Sequence, residues 1–200
     1  MKLNSARTAW HEAFYGKRNS NANHFATIHR LGTQIQQTEI DRSLDHCEHG
    51  VLAGYVQQAV ASLSPDLQLF GHHMYGPEGI IGDPDDVREA AEALVFDLAY
   101  SRVEKMYAKK MERARAVAAG VLYRYRRMHQ GGQSSMPDPM PKPEGFRAWI
   151  LAEKGISLSS EQWTREWEGF IDTCFLACDD LDKQALIPVS SILALMKEAA

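Results

Sequence analysis

The sequence predicts an all-α protein, an irregular multi-helix bundle, and three observations carry that reading. Apolar residues recur every three or four positions, as in Phe25, Ile28, Leu31 and Ile35, which lines them along one face of a helix. The alternating apolar runs that strands require are missing. Proline and glycine gather at a few breaks, above all in the run from Gly131 to Pro143.

Residues 5–15 place Ala9, Trp10, Ala13 and Phe14 at helical spacing and stop at Gly16. Asn23 caps a second helix, whose pattern runs through Ile40 and Leu44 to Gly50. Val51 to Leu63 forms a third, with Leu52, Tyr55, Val56, Ala59 and Val60 on one face. Ser64-Pro65 opens a short fourth, because a proline's missing N–H costs nothing in a first turn. That helix ends near His72-His73-Met74-Tyr75-Gly76-Pro77. After a turn-rich loop from Gly79 to Pro84, Asp83 or Asp85 caps the next helix, and the carboxylates of Asp85, Asp86 and Glu89 face its positive end. The pattern then runs from Val87 to Met128 without a proline, and a break is expected near Tyr107 or Gly120.

Four prolines between Gly131 and Pro143 cannot continue a helix. They divide the chain into an N-terminal helical domain (1–130, including a long basic helical region at 101–130), a Gly/Pro-rich linker (131–143) and a C-terminal helical segment (144–200). In the last, Phe146, Trp149 and Ile150 mark a helix from Glu144 to Lys154 that Gly155 ends. Ser159 or Ser160 caps another, carrying Trp163, Trp167, Phe170, Ile171 and Phe175. Pro188 punctuates the final one, Val189 to Lys197.

At 44% hydrophobic the chain is too apolar to be disordered as a whole. An odd set of three cysteines, Cys47, Cys174 and Cys178, suits a reducing cytoplasm rather than a disulfide framework. The start at Met1 lacks an apolar signal core, and no stretch approaches the ~18 apolar residues of a membrane span. A cytoplasmic protein with no membrane partner is the expectation.

Charge is unevenly laid out. Residues 1–100 hold 7 Lys+Arg against 13 Asp+Glu, residues 143–200 hold 5 against 10, and residues 101–142 hold 10 against 3. The positive segment carries Arg102, Lys105, Lys109, Lys110, Arg113, Arg115, Arg124, Arg126 and Arg127, interleaved with Tyr107, Tyr123 and Tyr125. Guanidinium and ammonium groups beside tyrosines suit phosphate contact with nucleic acid, and an acidic partner protein would suit the same residues. A solvated face neutralised by the acidic flanks reads the same pattern without a ligand.

The phosphate-cradling and hydrolase signatures are missing, and no catalytic residue, metal site or cofactor is assigned. His46, Cys47 and His49 with Cys174 and Cys178 could close a zinc site, but the spacing is no zinc-finger spacing, and buried thiols explain the helical pair better. His72 and His73, with Asp83, Asp85 and Asp86 nearby, offer proton-transfer groups to an enzyme reading. Leu151 to Ser157 and the helix after it have a helix-turn-helix outline, yet Glu161, Glu166 and Glu168 outnumber Arg165 there. Trp163 and Trp167, four apart, look like core residues or anchors for docking a protein partner.

Ala9-Trp10-x-x-x-Phe14-Tyr15-Gly16 and Leu63-x-Pro65-x-Leu67-Gln68-x-Phe70-Gly71-x-x-Met74-Tyr75 together resemble small helical proteins of temperate bacteriophages of Gram-negative hosts, among them antitermination-like late regulators. The resemblance implies a regulator in the host cytoplasm that engages DNA together with host RNA polymerase. The chain departs from that family's pattern in having no convincing sigma-like helix-turn-helix and no paired-cysteine zinc module. The leading expectation is a phage-derived, non-enzymatic regulator that uses the basic region. A protein–protein adaptor or host-inhibitory factor is the alternative.

Overall fold

The computed structural model describes residues 5–15, 43–103, 106–130 and 135–198, and for 43–49 the backbone alone. Seven α-helices lie among the described residues: α1 (Ala6–Phe14), α2 (Ser43–Ala61), α3 (Pro65–Tyr75), α4 (Pro84–Ser101), α5 (Ala108–His129), α6 (Pro143–Lys154) and α7 (Gly169–Glu198). A π-helical turn, Thr164–Glu168, leads into α7. The described residues form an all-α fold, as the periodicity predicts. The helix expected to start at Asn23 lies outside the described residues.

Helix α7 is the centre of the bundle. It packs against α1, α2, α3, α4 and α5, while α6 lies on α5. Trp10, Val56, Phe70, Phe96, Val117, Phe146, Cys174, Ala185 and Val189 belong to one continuous buried cluster, so the segment beyond the Pro-rich stretch builds the same core as the segments before it. Pro188 sits inside α7 rather than at a boundary. It removes one backbone donor, a defect of about 3 kcal/mol in a helix interior. Burial of Ala185, Val189 and Leu193 on either side of it opposes that cost.

The expected break falls at Tyr107. Helix α4 stops at Ser101 and α5 begins at Ala108. Gly120 instead lies within α5 because α6 comes close there: a Cβ at Gly120 would stand 2.6 Å from the Phe146 ring. The same logic places Gly71 in α3, where a Cβ would stand 2.3 Å from the Trp10 indole. Asp83 caps α4 by accepting the Asp85 N–H at 2.9 Å, with Pro84 in the first turn.

The Pro-rich stretch is strapped to α5. Asp138 accepts two hydrogen bonds from the Arg124 guanidinium, through Nε at 3.1 Å and through Nη2, and a third from the Met140 N–H at 2.8 Å. The Arg124 guanidinium also lies over the Phe146 and Phe175 rings, 5.1 and 4.9 Å from their centroids.

Candidate functional site

The basic region does not form one open face. Arg102 is held by Asp180 at 2.8 Å, Lys110 by Glu166 at 2.9 Å and Arg124 by Asp138. Arg115 rests on the Phe96 ring, 4.4 Å from its centroid. Arg126 points into a cleft. Lys105 lies outside the described residues. Lys109, Arg113 and Arg127 are exposed and make no ion pair among the described residues. Between Arg113 and Arg127 the helix dips under α6 at Gly120, so the positive stripe is cut in two. The tyrosines separate as well: Tyr107 is exposed, Tyr123 stacks on Trp149 at 4.9 Å, and Tyr125 is buried.

At the start of α5 a basic patch survives, with exposed Glu112 and Glu168 and the Lys110-paired Glu166 among its cations. The first turn carries Lys109 and Lys110 and no acid, so side-chain charge and the helix dipole have the same sign there. The π-helical turn brings exposed Arg165 close by. Glu166 reports this cluster: the hydrogen bond and charge of Lys110 hold its carboxyl below the usual range, and Arg113 and Arg165 push the same way. In the sequence Arg165 is a minority cation among Glu161, Glu166 and Glu168.

The other end of α5 forms two adjoining clefts. Both are lined by Gly76, Pro77, Glu78 and Arg126. The smaller, about 270 Å³, adds His72, His73, Asp85 and Arg88. The larger, about 490 Å³, adds Arg7, His11, Tyr15, Met74 and His129. Arg126 Nε, His72 Nδ1 and His129 Nδ1 are buried without a hydrogen-bond partner among the described residues. Burial and the cations Arg126 and Arg88 push the His73 imidazole down to about 3, while burial alone lowers His72. A ring so resistant to protonation is a poor base near neutrality. His72, His73 and Asp85 do share one cleft, but Asp85 is paired with Arg88 at 2.9 Å and Asp83 is spent on its cap.

Behind the larger cleft lies a buried polar node. Asp182, 3% exposed, accepts from Tyr75 Oη at 2.5 Å, Tyr125 Oη at 3.2 Å and Arg7 Nη2 at 2.8 Å. Burial, then the Asp182 charge, raises both phenols far above their ordinary range. For Arg7, burial works downward but Tyr75 and Asp182 outweigh it, so its charge is secured. Sequence reasoning missed this node. Asp182 stands four residues from Cys178 and seven from Val189, an acid on the apolar stripe of α7, and that was the available signal.

Trp163 and Trp167 are 7% and 3% exposed, which corrects their reading as docking anchors. Trp163 meets the Phe146 ring edge-on at 6.2 Å, and Trp167 lies 5.9 Å below the Lys110 ammonium. They close the core where α5, α6 and α7 meet. Cys174 and Cys178 are fully buried; burial pushes the Cys174 thiol up to about 12 and the Cys178 thiol well above its usual range. The side chains of His46, Cys47 and His49 lie outside the described residues. Among the described residues no three His, Cys, Asp or Glu side chains converge. Among the described residues no helix is long and apolar enough to cross a membrane. Comparison of the chain with family models, curated proteins and solved structures finds no match.

Proposed function

We propose that the protein is a non-enzymatic regulator that contacts the phosphate backbone of nucleic acid through the amino-terminal end of α5. The observation that carries this reading is the patch of exposed Lys109, Arg113 and Arg165 around a first helical turn with no acid. Cations on a helix whose own dipole is positive at that end attract a polyanion, and exposed Tyr107 adds a flat ring for an unpaired base. The reading is narrower than the full basic run suggests, because Arg102, Lys110 and Arg124 already satisfy carboxylates of their own fold. The likeness to phage late regulators favours DNA and host RNA polymerase as partners within a bacterial cytoplasm.

Filter binding to duplex DNA and to RNA tests the proposal. Three phosphate contacts imply a loss of about 40-fold in affinity between ~50 and ~200 mM salt. Replacing Lys109, Arg113 and Arg165 together by alanine should flatten that salt response and weaken binding to every sequence alike. Binding that ignores both salt and the triple substitution would rule the patch out.

A further inference from the structure

We propose that the larger cleft binds a small phosphorylated ligand carrying a flat ring, of the nucleoside monophosphate class, with its phosphate on Arg126. This site lies at the opposite end of α5 from the patch assigned above and does not depend on it.

Arg126 is the centre of the case. Its Nε is buried with no acceptor among the described residues, and the guanidinium forms a wall shared by both clefts. A buried donor left without an acceptor is costly, and the planar guanidinium presents paired N–H groups that match an oxyanion. His129 lines the same cleft, and its buried Nδ1 is equally without a partner among the described residues. Arg7 cannot turn toward a ligand without leaving Asp182, whose carboxylate offsets its charge, so the positive field at the cleft comes from Arg126 with its neighbour Arg127. The planar fork of Arg126 can meet two oxygens of one phosphate at once. Glu78 opposes this field from an exposed position on the rim, where water screens it.

The ring follows from the far wall. His11 and Tyr15 stack at 5.3 Å with an interplanar angle of 24°, and Tyr15 is 48% exposed, so its aromatic surface lies open at the cleft. The hydrogen-bond contact between His11 Nδ1 and the Tyr75 carbonyl at 3.0 Å fixes the imidazole of that pair. A volume of about 490 Å³ falls within the ordinary range for small-molecule sites.

Calorimetric titration of the full chain with adenosine 5′-monophosphate, adenosine and inorganic phosphate tests the assignment. The monophosphate should bind most tightly, phosphate more weakly, and adenosine weakest. Arg126→Ala should lower monophosphate affinity at least about tenfold, which is ~1.4 kcal/mol. Arg126→Lys keeps the charge but not the fork and should fall between. Tyr15→Ala should weaken the monophosphate and leave inorganic phosphate unchanged. The Lys109/Arg113/Arg165 triple variant should bind the monophosphate normally, which separates this site from the nucleic-acid patch. Should Arg126→Ala fail to fold, Tyr15→Ala and the adenosine comparison decide. Adenosine binding as tightly as its monophosphate, or no monophosphate binding at millimolar concentration, overturns the site. Phosphate binding as tightly as the monophosphate overturns the ring assignment.

Discussion

Tyr75 and Asp182, 107 residues apart in the chain, meet inside the protein in a hydrogen bond of 2.5 Å. The bond ties the end of α3 to the middle of α7, and Arg7 of α1 and Tyr125 of α5 complete the same carboxylate's shell. Four helices thus converge on one buried charge, next to the wall of the larger cleft formed by Arg7 and Tyr75. Replacing Asp182 by alanine strands one guanidinium and two phenols at once. Urea denaturation should show a loss of about 3–5 kcal/mol, with Asp182→Asn in between because one acceptor oxygen remains. A stability change within ~0.5 kcal/mol for the alanine variant would show that the node does not hold the helices together.

Gly120→Ala should destabilise despite alanine's better helix propensity. Propensity favours the change by about 1 kcal/mol, but the new Cβ lies 2.6 Å from Phe146 and the α5–α6 contact must open. A net loss of roughly 1–3 kcal/mol in the same assay is expected. A stabilised variant would show that α6 yields easily.

Arg124 and Arg113 should part company, although their chemistry is identical. Arg124→Ala removes the strap to Asp138 and the contact with two phenyl rings, so thermal unfolding should drop by several degrees, with little change in binding beyond that. Arg113→Ala should leave the melting temperature unchanged and weaken nucleic-acid binding. Reversed outcomes would mean that the two ends of the basic region had been assigned the wrong roles.

Asp138 predicts an acid limb of stability. Burial pushes its carboxyl upward, but the hydrogen bonds from Arg124 and from the Met140 N–H outweigh it and hold the group below its ordinary value. The unfolded chain therefore binds this proton first, near the ordinary pKa of ~3.9, and stability falls as pH drops through that value toward the lower folded one. Asp138→Asn should flatten the stability profile between about pH 5 and pH 3. An unchanged profile would place the acid sensitivity elsewhere.

His73 governs a higher window. Its folded imidazole is pushed down to about 3 by burial and by Arg126 and Arg88, whereas the unfolded ring titrates near ~6.5. Its contribution is complete above that upper value and declines as pH falls toward the lower one, with a limiting slope of roughly 1.4 kcal/mol per pH unit. Denaturation at several pH values should show His73→Gln losing part of this slope, with His72 and His129, also lowered, carrying the remainder.

Much of the architecture was legible in the residues. Pro65, Asp83-Pro84 and Gly155 mark helix ends through local backbone chemistry, which acts within a few positions of the chain. The break at Tyr107 was one of two anticipated places, and choosing between Tyr107 and Gly120 required knowing that Phe146 would press on the latter. The site was less legible. Charge counting located the cations but treated Arg113, Arg124 and Arg126 alike, and the structure gives them three different surroundings.

By itself the sequence determined the helical class, most helix termini and the positive segment between two negative ones, because these depend on spacing, capping and composition within short stretches. Which cations remain exposed, that Trp163 and Trp167 lie inside, and that Arg7, Tyr75, Tyr125 and Asp182 share one buried node were decided only by tertiary packing. Asp182 marks itself locally as an acid on an apolar stripe, but partners 107 and 175 residues away along the chain do not show in that stripe. Their pairing is set by how α7 threads between the other helices, and a one-dimensional pattern does not encode that path.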